Sequence, residues 1–311
     1  MPQKYKHLFG PVPSRRFNRS LGVDLTPFKT CCFDCIFCQL GKTLNRTNTR
    51  KEYISTKEIK SELNDWFEED GQADYITMAG SGEPTLHTHI GEIISHIKTK
   101  SRIPVAVLTN GYLLQNEEVR KSLLKADTVK ISLSAWDNSS LQQINRPYDT
   151  DFDSLIEGEI TFAKEYKGAL WLEVFLMEGL NSDPEQVKEI AKYAQQISPQ
   201  KIQLNTSVRP TAEACAKKVS YEELKKLSEI FTPNAEVIAD FNISETPKFI
   251  ADENAVYEML LRRPCTTKQI SDAFGMHLNE VAKYTGKLQK EGKIKTIRQC
   301  DVIYYSASND F

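Results

Sequence analysis

The sequence predicts an α/β protein whose larger part is a partial (β/α)6 TIM-type barrel, followed by a small C-terminal winged helix-turn-helix domain. Strand-like and helix-like runs alternate from about residue 20 to 232, a pattern typical of parallel strands joined by helices. Six such units fall short of the eight of a closed barrel, so the barrel is expected to be open. After Pro247, three helical patterns precede two short strands, which is the order of a winged helix. We therefore expect domains at residues 1–245 and 248–311.

Each barrel unit pairs one strand with one helix. The strands are predicted at Leu21–Leu25, Asp74–Ala79, Val105–Thr109, Thr128–Ser134, Leu170–Met177 and Lys201–Thr206. The helices are predicted at Thr56–Glu69, Thr88–Thr99, Glu117–Lys125, Phe152–Glu165, Pro184–Ile197 and Ser220–Phe231. The C-terminal domain is predicted to contain helices Glu253–Leu261, Thr267–Phe274 and His277–Lys290 and strands Lys293–Arg298 and Val302–Tyr305.

Polar residues interrupt three of the apolar strands at similar depth. Ser132 and Ser134 share one face of the fourth strand, Glu173 lies in the fifth, and Gln203 and Asn205 share one face of the sixth. Buried polar groups require partners, so isolated ones are unexpected inside a core. Their coincidence predicts a polar cavity inside the barrel.

The composition is that of an ordinary globular protein. The 311 residues include 40 Lys and Arg against 42 Asp and Glu, and 40% are hydrophobic. These values exclude a disordered chain, a coiled coil and a protein that is basic overall. No apolar run approaches the ~18 residues of a membrane span, and no apolar signal core follows the first residues. We therefore expect a cytoplasmic protein with no membrane partner.

Four of the seven cysteines lie within eight residues, which favours a metal site over a disulfide framework. A ferredoxin-type run would use Cys32, Cys35 and Cys38, but the position for its fourth cysteine is Lys42. A structural zinc site needs a second pair of ligands, which the sequence lacks. The remaining alternative takes Cys31-x3-Cys35-x2-Cys38 as three ligands of a four-iron cluster, with one iron open to a small molecule.

Further motifs resemble the radical S-adenosylmethionine (SAM) superfamily over about residues 8 to 245. Short polar motifs follow the predicted strands in the order of that family: the three cysteines with Phe37, Gly80-Ser81-Gly82-Glu83-Pro84, Thr109-Asn110-Gly111, Ser132-Leu133-Ser134, Gly179-Leu180-Asn181 and Arg209-Pro210. The combination is far more specific than any of its parts.

The resemblance implies an oxidoreductase chemistry with two cofactors, a [4Fe-4S] cluster and SAM. One electron from the reduced cluster cleaves SAM to a 5′-deoxyadenosyl radical, which removes hydrogen from an unactivated carbon of a substrate. The protein supplies position and excludes water. The electron is expected from a low-potential donor of the flavodoxin or ferredoxin type.

The resemblance also implies roles for individual residues. Cys31, Cys35 and Cys38 correspond to the cluster ligands, and Cys32 is expected to be a small buried residue. Gly82 and Glu83 resemble the loop that holds the SAM amino group, where a carboxylate suits an ammonium. The other expected contacts to SAM or substrate are Phe37 beside adenine, Asn110 and Ser134 beside ribose or carboxylate, and Glu173, Asn205 and Arg209.

The group that looks closest is that of the wyosine-base-synthase-like iron–sulfur oxidoreductases. Those enzymes carry additional cysteines upstream, whereas residues 1–30 contain none. An RNA base, a protein side chain and a small metabolite are therefore the candidate substrates. An alternative from a different class is an iron–sulfur redox-sensing regulator that binds DNA through the winged helix, although a sensor has no need of the Gly-Glu-Pro loop.

Two stretches are locally basic. Arg15, Arg16 and Arg19 precede the first strand, and guanidinium groups suit a phosphate or carboxylate. In the last predicted helix, Leu278, Val281, Thr285 and Leu288 form a packing face. Lys283, Lys287 and Lys290 form another face, continued by Lys293, Lys295 and Arg298. A basic helix with a basic wing is typical of a nucleic-acid reader, but winged helices also dock proteins, so nucleic acid and protein both remain partners of this face.

Overall fold

The structure is a computed structural model that describes residues 5–238, 252–299 and 302–308 of the 311. Its strands are β1 (Leu8–Ser14), β2 (Asn18–Val23), β3 (Thr30–Cys31), β4 (Asn45–Arg46), β5 (Tyr75–Met78), β6 (Val105–Thr109), β7 (Thr128–Ser132), β8 (Ala169–Leu176), β9 (Lys201–Thr206), β10 (Glu236–Val237), β11 (Ile294–Gln299) and β12 (Val302–Ala307). Its helices are α1 (Thr56–Glu68), α2 (Ile90–Lys100), α3 (Glu117–Leu123), α4 (Asn138–Ile144), α5 (Phe152–Glu165), α6 (Pro184–Ile197), α7 (Tyr221–Ser228), α8 (Glu253–Arg262), α9 (Thr267–Phe274) and α10 (Leu278–Lys290).

Eight strands form one sheet in the order β1-β2-β5-β6-β7-β8-β9-β10. Strand β1 is antiparallel to β2, and every other neighbouring pair is parallel. The six strands predicted for the barrel are β2 and β5 to β9, and helices follow them in chain order. The architecture is thus the predicted α/β arrangement with a parallel sheet, and the linear strand order leaves it open.

Helix faces and caps explain why the elements form where they do. In α1, Ile59 and Leu63 are buried at helical spacing, and the Ser55 side chain accepts a hydrogen bond from the third residue of the helix. In α5, Asp151 plays the same role, and α5 has the predicted bounds. The apolar faces of the helices join the strands in one hydrophobic core.

The structure adds elements that the sequence patterns did not predict. Strand β1 contains Pro11 and Pro13, and proline weakens a strand signal because it donates no hydrogen bond. The strand is nevertheless stable at the edge of the sheet, where only one side must pair. Helix α4 is seven residues long, too short for a clear period, and it begins with a capping box at Asp137.

The C-terminal residues form a second unit with its own hydrophobic core. Helices α8, α9 and α10 are followed by the antiparallel pair of β11 and β12, in the predicted order. Val256, Phe274, Val281 and Leu288 belong to this core. The predicted packing face of α10 is wrong at one position, because Leu278 is 50% exposed at the start of the helix. The predicted domain boundary near 245–248 lies outside the described residues.

The second unit contacts β1, at one edge of the sheet, and the segment after β9, near the other edge. The Arg263 Nη2 atom, just after α8, donates to the Pro13 carbonyl oxygen of β1 at 3.0 Å. The Gln269 Nε2 atom of α9 donates to the Val208 carbonyl oxygen at 2.9 Å.

No helix in the described ranges is both long and apolar enough to cross a membrane.

Candidate active site

A cavity of about 360 Å³ opens at the carboxyl ends of the parallel strands. Cys31, Cys35 and Cys38 lie on one wall. The other walls are formed by the ends of β5 to β9, by the Gly-Glu-Pro loop after β5, by residues before β2 and by a residue after α8. Further residues of the cysteine loop complete the lining. Parallel α/β folds bind ligands at this edge because several strand ends converge there.

Each of the three cysteine sulfurs accepts a hydrogen bond. Asn110 Nδ2 donates to Cys31 Sγ at 3.5 Å and Asn145 Nδ2 donates to Cys35 Sγ at 3.4 Å. Lys29 Nζ donates to Cys38 Sγ at 3.1 Å. Such donors favour the thiolate, the form of cysteine that binds metals.

Burial acts in the opposite direction on two of these thiols. It raises the pKa of Cys31 to about 12 and raises that of Cys35 well above its ordinary value. Cys32 is completely buried in the hydrophobic core and does not line the cavity. Its placement favours the assignment of Cys31, rather than Cys32, to the ligand set.

Among the described residues, no group of three or more His, Cys, Asp and Glu side chains lies at the spacing of a metal site. The chemistry of the cavity wall nevertheless suits an iron–sulfur cluster. The cavity wall offers three sulfurs, the ligand type that multi-iron clusters use.

The Gly-Glu-Pro loop is fixed by close backbone contacts. A Cβ atom on Gly82 would lie 2.0 Å from the Thr30 carbonyl oxygen, so the close approach requires glycine. The Glu83 backbone N donates to the same oxygen at 3.0 Å. The loop is therefore held against the strand that carries Cys31.

Glu83 is buried and accepts four hydrogen bonds from this chain. Its Oε1 accepts from Thr85 N at 3.1 Å, Thr85 Oγ1 at 2.6 Å and Thr109 Oγ1 at 2.7 Å. Its Oε2 accepts from Asn110 N at 2.9 Å. Burial nevertheless raises the pKa of Glu83 above its ordinary value. The side chain joins the end of β5 to the end of β6.

The remaining predicted residues divide into two groups. Phe37 lines the cavity and stacks on Phe175, with ring centroids 4.4 Å apart. Glu173, Asn205 and Arg209 also line it. Ser134 does not line the cavity, so the structure does not bring this residue to the site. It lies beyond the end of β7, where the pleat has ended, and its Oγ accepts from Phe175 N at 3.1 Å. Ser132 takes its place on the wall.

Glu173 is the centre of a polar network inside the cavity. Its carboxylate is paired with Arg16 and Lys130. Asn205 Nδ2 donates to its Oε1 at 2.8 Å. The predicted polar cavity is thus present, formed by Ser132, Glu173 and Asn205 together with cations.

Several lining residues were missed by the sequence analysis. Lys130 is one, although its signal was present: a lysine lies two residues before Ser132 in an otherwise apolar strand. Arg263 lies more than 50 residues from the nearest predicted site residue and carried no local signal. Of the three N-terminal arginines, Arg15 and Arg16 line the cavity, whereas Arg19 pairs with Asp74 at 2.9 Å.

Comparison with known proteins gives the family of the chain. Residues 25–194 match the family model described as the Radical SAM superfamily. The chain is 34% identical over 248 residues to a UPF0026 protein of Methanocaldococcus jannaschii, with 79% of this chain and 76% of that protein covered. It is 38% identical over 298 residues to a protein named GTPase Obg from Brachyspira hyodysenteriae, covering 94% of this chain but only 44% of that protein.

Solved structures share the fold at low sequence identity. The structure of TYW1 with a lysine-pyruvate adduct bound has a TM-score of 0.52 and 18% identity, covering 70% of this chain and 74% of that chain. Streptococcus suis SuiB bound to S-adenosylmethionine has a TM-score of 0.54 and 17% identity, covering 70% and 50%. The chain belongs to the radical SAM superfamily of enzymes.

Proposed function

We propose that this protein holds a [4Fe-4S] cluster on Cys31, Cys35 and Cys38, cleaves SAM reductively, and removes a hydrogen atom from a substrate carbon. The observation that carries the proposal is that the three cysteines and the Gly-Glu-Pro loop line one cavity. When bound, the cluster supplies the electron that cleaves SAM to a 5′-deoxyadenosyl radical. The residues of the chain bind, orient and exclude water.

The polar residues around the cysteines support cluster binding. Lys29, Asn110 and Asn145 each donate to one of the sulfurs. These donors offset the cost of burying thiolates and fix their orientation.

The cavity walls support SAM binding beside the cysteines. Gly82 and Glu83 are proposed for the amino group, and Oε2 of Glu83 accepts only one hydrogen bond from the described residues, which leaves it capacity for another donor. Phe37 is proposed for the adenine side because its ring lies on the wall, and Asn110 for the ribose or carboxylate. Ser132 replaces Ser134 in this set.

The substrate is proposed to be an RNA base, a protein side chain or a small metabolite. The wyosine-base-synthase-like assignment rests on the order of the sequence motifs. An electron donor of the flavodoxin or ferredoxin type completes the scheme.

The C-terminal unit is proposed to be a winged helix that contacts nucleic acid or protein. The redox-sensing regulator finds no support, because the family model that matches this chain is that of the Radical SAM superfamily.

The direct test is anaerobic reconstitution with iron and sulfide, followed by dithionite and SAM. We expect slow release of 5′-deoxyadenosine and methionine without substrate, measured by mass spectrometry. Cys35→Ala should abolish this release, whereas the matched control Cys215→Ala should not, because Cys215 is exposed and outside the cavity. Fully loaded protein that leaves SAM intact would contradict the proposal.

A further inference from the structure

We propose that the part of this cavity lined by Arg16, Arg209 and Arg263 binds an anionic group of the substrate, a phosphate or a carboxylate. Arg263 comes from the C-terminal unit, so that unit completes the substrate site. The inference rests on the proposed function in one respect: it takes this cavity as the place where the substrate reacts.

Cations outnumber anions on the cavity wall. Six lysine and arginine side chains line it, against the two carboxylates of Glu83 and Glu173, which leaves an excess of four positive charges among the described lining residues. Lys130 and Arg16 are both paired with Glu173. Arginine side chains stay charged in proteins, so the wall remains positive.

The two cofactors of the proposed function do not remove this excess. A four-iron cluster held by three thiolates carries one net negative charge in its oxidised state, and SAM carries one net positive charge. Together they are close to neutral. An excess of cations on a cavity wall attracts an anion, so the cavity favours a further anionic group.

The three arginines come from separate segments and are held in place by this chain. Arg16 lies in the turn between β1 and β2, and its Nε donates to Gln203 Oε1 at 3.2 Å. Arg263 Nη2 is fixed by the Pro13 carbonyl oxygen at 3.0 Å. Arg209 follows β9, and its Nη1 donates to Gln39 Oε1 at 3.4 Å.

Arg209 carries the most direct sign of a ligand. It is only 4% exposed, and its Nε has no hydrogen-bond partner among the described residues. Buried polar atoms are normally paired, so an unpaired guanidinium nitrogen beside a cavity indicates a group that binds there.

Electrostatics supports the same conclusion. Burial, together with repulsion from Arg209 and Arg263, lowers the pKa of Arg16 to about 10. Burial and Arg209 also lower the pKa of Arg263 to about 10. Arginines that repel one another are stabilised by an anion between them, and planar guanidinium groups match phosphate and carboxylate in bidentate contacts.

The test measures anion binding directly on the full chain, with and without a reconstituted cluster. Pyrophosphate and citrate are titrated by isothermal calorimetry at low ionic strength, which separates phosphate from carboxylate recognition. We expect saturable binding of at least one of them. Arg209→Gln and Arg263→Gln should each weaken it about tenfold or more, because a charge-assisted contact is lost.

Controls separate a lost contact from a lost fold. Lys283→Gln changes an exposed lysine outside the cavity and should bind the anion as the wild type does. Arg263→Lys keeps the positive charge but lacks the planar guanidinium group. It should therefore recover only part of the anion affinity that Arg263→Gln loses. Thermal melting identifies any variant that is unfolded. If Arg263→Gln fails to fold, the loss of anion binding is tested with Arg209→Gln, which lies in the barrel.

The outcomes are distinct from those of the proposed function. Wild-type protein that cleaves SAM but binds neither anion, or variants that bind as tightly as wild type, would overturn the anion site alone. Wild-type protein that binds the anion but leaves SAM intact would overturn the proposed reaction alone.

Discussion

Cys31 and Cys32 are adjacent but lie in different environments. The side chain of Cys31 reaches the cavity and accepts from Asn110, whereas Cys32 is completely buried in the hydrophobic core. Strand β3 ends at Cys31 and the chain bends at Cys32, so the two side chains enter different surroundings. Only one of the two can therefore share a cavity wall with Cys35 and Cys38.

This placement predicts the outcome of cysteine replacement. Anaerobically prepared protein should carry about four irons and four sulfides, as in other four-iron clusters. Replacing Cys31, Cys35 or Cys38 with alanine should remove them, whereas Cys32→Ala should keep the iron and lower the melting temperature by creating a small cavity. Iron and sulfide assays check this. Loss of iron in Cys32→Ala with retention in Cys31→Ala would show that the other register is used.

Glu159 is a buried acid outside the proposed site. It lies on α5 with no exposed surface, and neither carboxyl oxygen has a partner among the described residues. Burial raises the pKa of Glu159 well above its ordinary value, so folding favours the protonated form of this group.

The sign of the pH effect follows from this shift. Above its ordinary pKa, the unfolded chain releases the proton while the folded chain retains it, so the free energy of unfolding falls as the pH rises. Glu159→Met, of similar volume, should remove this dependence and stabilise the protein at pH 8 by about 1–3 kcal/mol. Urea unfolding at pH 5 and pH 8 measures the effect, and an equal gain at both values would contradict it.

At the scale of elements, the loop after β5 connects the cysteine segment to the next strand. Gly82 approaches Thr30, and Glu83 accepts hydrogen bonds from Thr109 and Asn110 at the end of β6. The loop thereby sets the distance between the cysteine wall and the strand ends.

Gly82→Ala tests this connection. Its Cβ would lie 2.0 Å from a backbone oxygen, which cannot move as a flexible side chain does, so we expect a loss of about 1–3 kcal/mol of stability and weaker SAM binding. Gly286→Ala in α10 is the matched control, because nothing lies within 4 Å of its Cβ. That change should stabilise the helix by about 0.5–1 kcal/mol. Similar melting temperatures for both variants would count against the close approach.

Some element boundaries can be predicted from the sequence and others cannot. Val105–Thr109 and Phe152–Glu165 have the predicted bounds, because apolar periodicity and a capping aspartate are local signals. Strand β1 was missed because its prolines conceal it. Ser134 lies outside the cavity lining because β7 ends two residues earlier than predicted, and no pattern in the sequence marks where a strand ends.

At the scale of the whole molecule, two hydrophobic cores lie on either side of contacts made by Arg263 and Gln269. The sequence predicts a helical unit with two short strands after Pro247, and the structure has α8 to α10 and β11 and β12 there with a separate hydrophobic core. The sequence did not predict that the second unit reaches the cavity. A contact between residues 250 positions apart produces no local pattern of hydrophobic or polar residues.

The basic face of α10 is less free than its sequence indicates. Lys287 pairs with Glu253 at 2.7 Å, and Lys293 pairs with Glu291 at 2.6 Å. Lys283 and Lys290 are exposed. A phosphate would have to displace a carboxylate to reach either paired lysine, which weakens their contribution.

Salt dependence measures how many of these lysines contact phosphate. In anisotropy titrations of the full chain with duplex DNA, the Lys283→Gln/Lys290→Gln double variant should reduce the log–log salt slope by about 1.8, which corresponds to two phosphate contacts. Lys287→Gln should reduce it less. Wild-type protein without any salt-dependent affinity for DNA or RNA would exclude nucleic acid as the partner of this face.

The contact between Arg263 and Pro13 has a consequence for how such chains can diversify. The three cysteines of the cavity and the Gly-Glu-Pro loop precede residue 239, whereas one cation of the cavity, Arg263, comes from beyond residue 251. Recombination that exchanged only the C-terminal unit would leave the radical-generating part intact and alter the charge that meets the substrate. If the proposed anion site is used, hybrid chains that exchange this segment should retain SAM cleavage while changing which anions they accept.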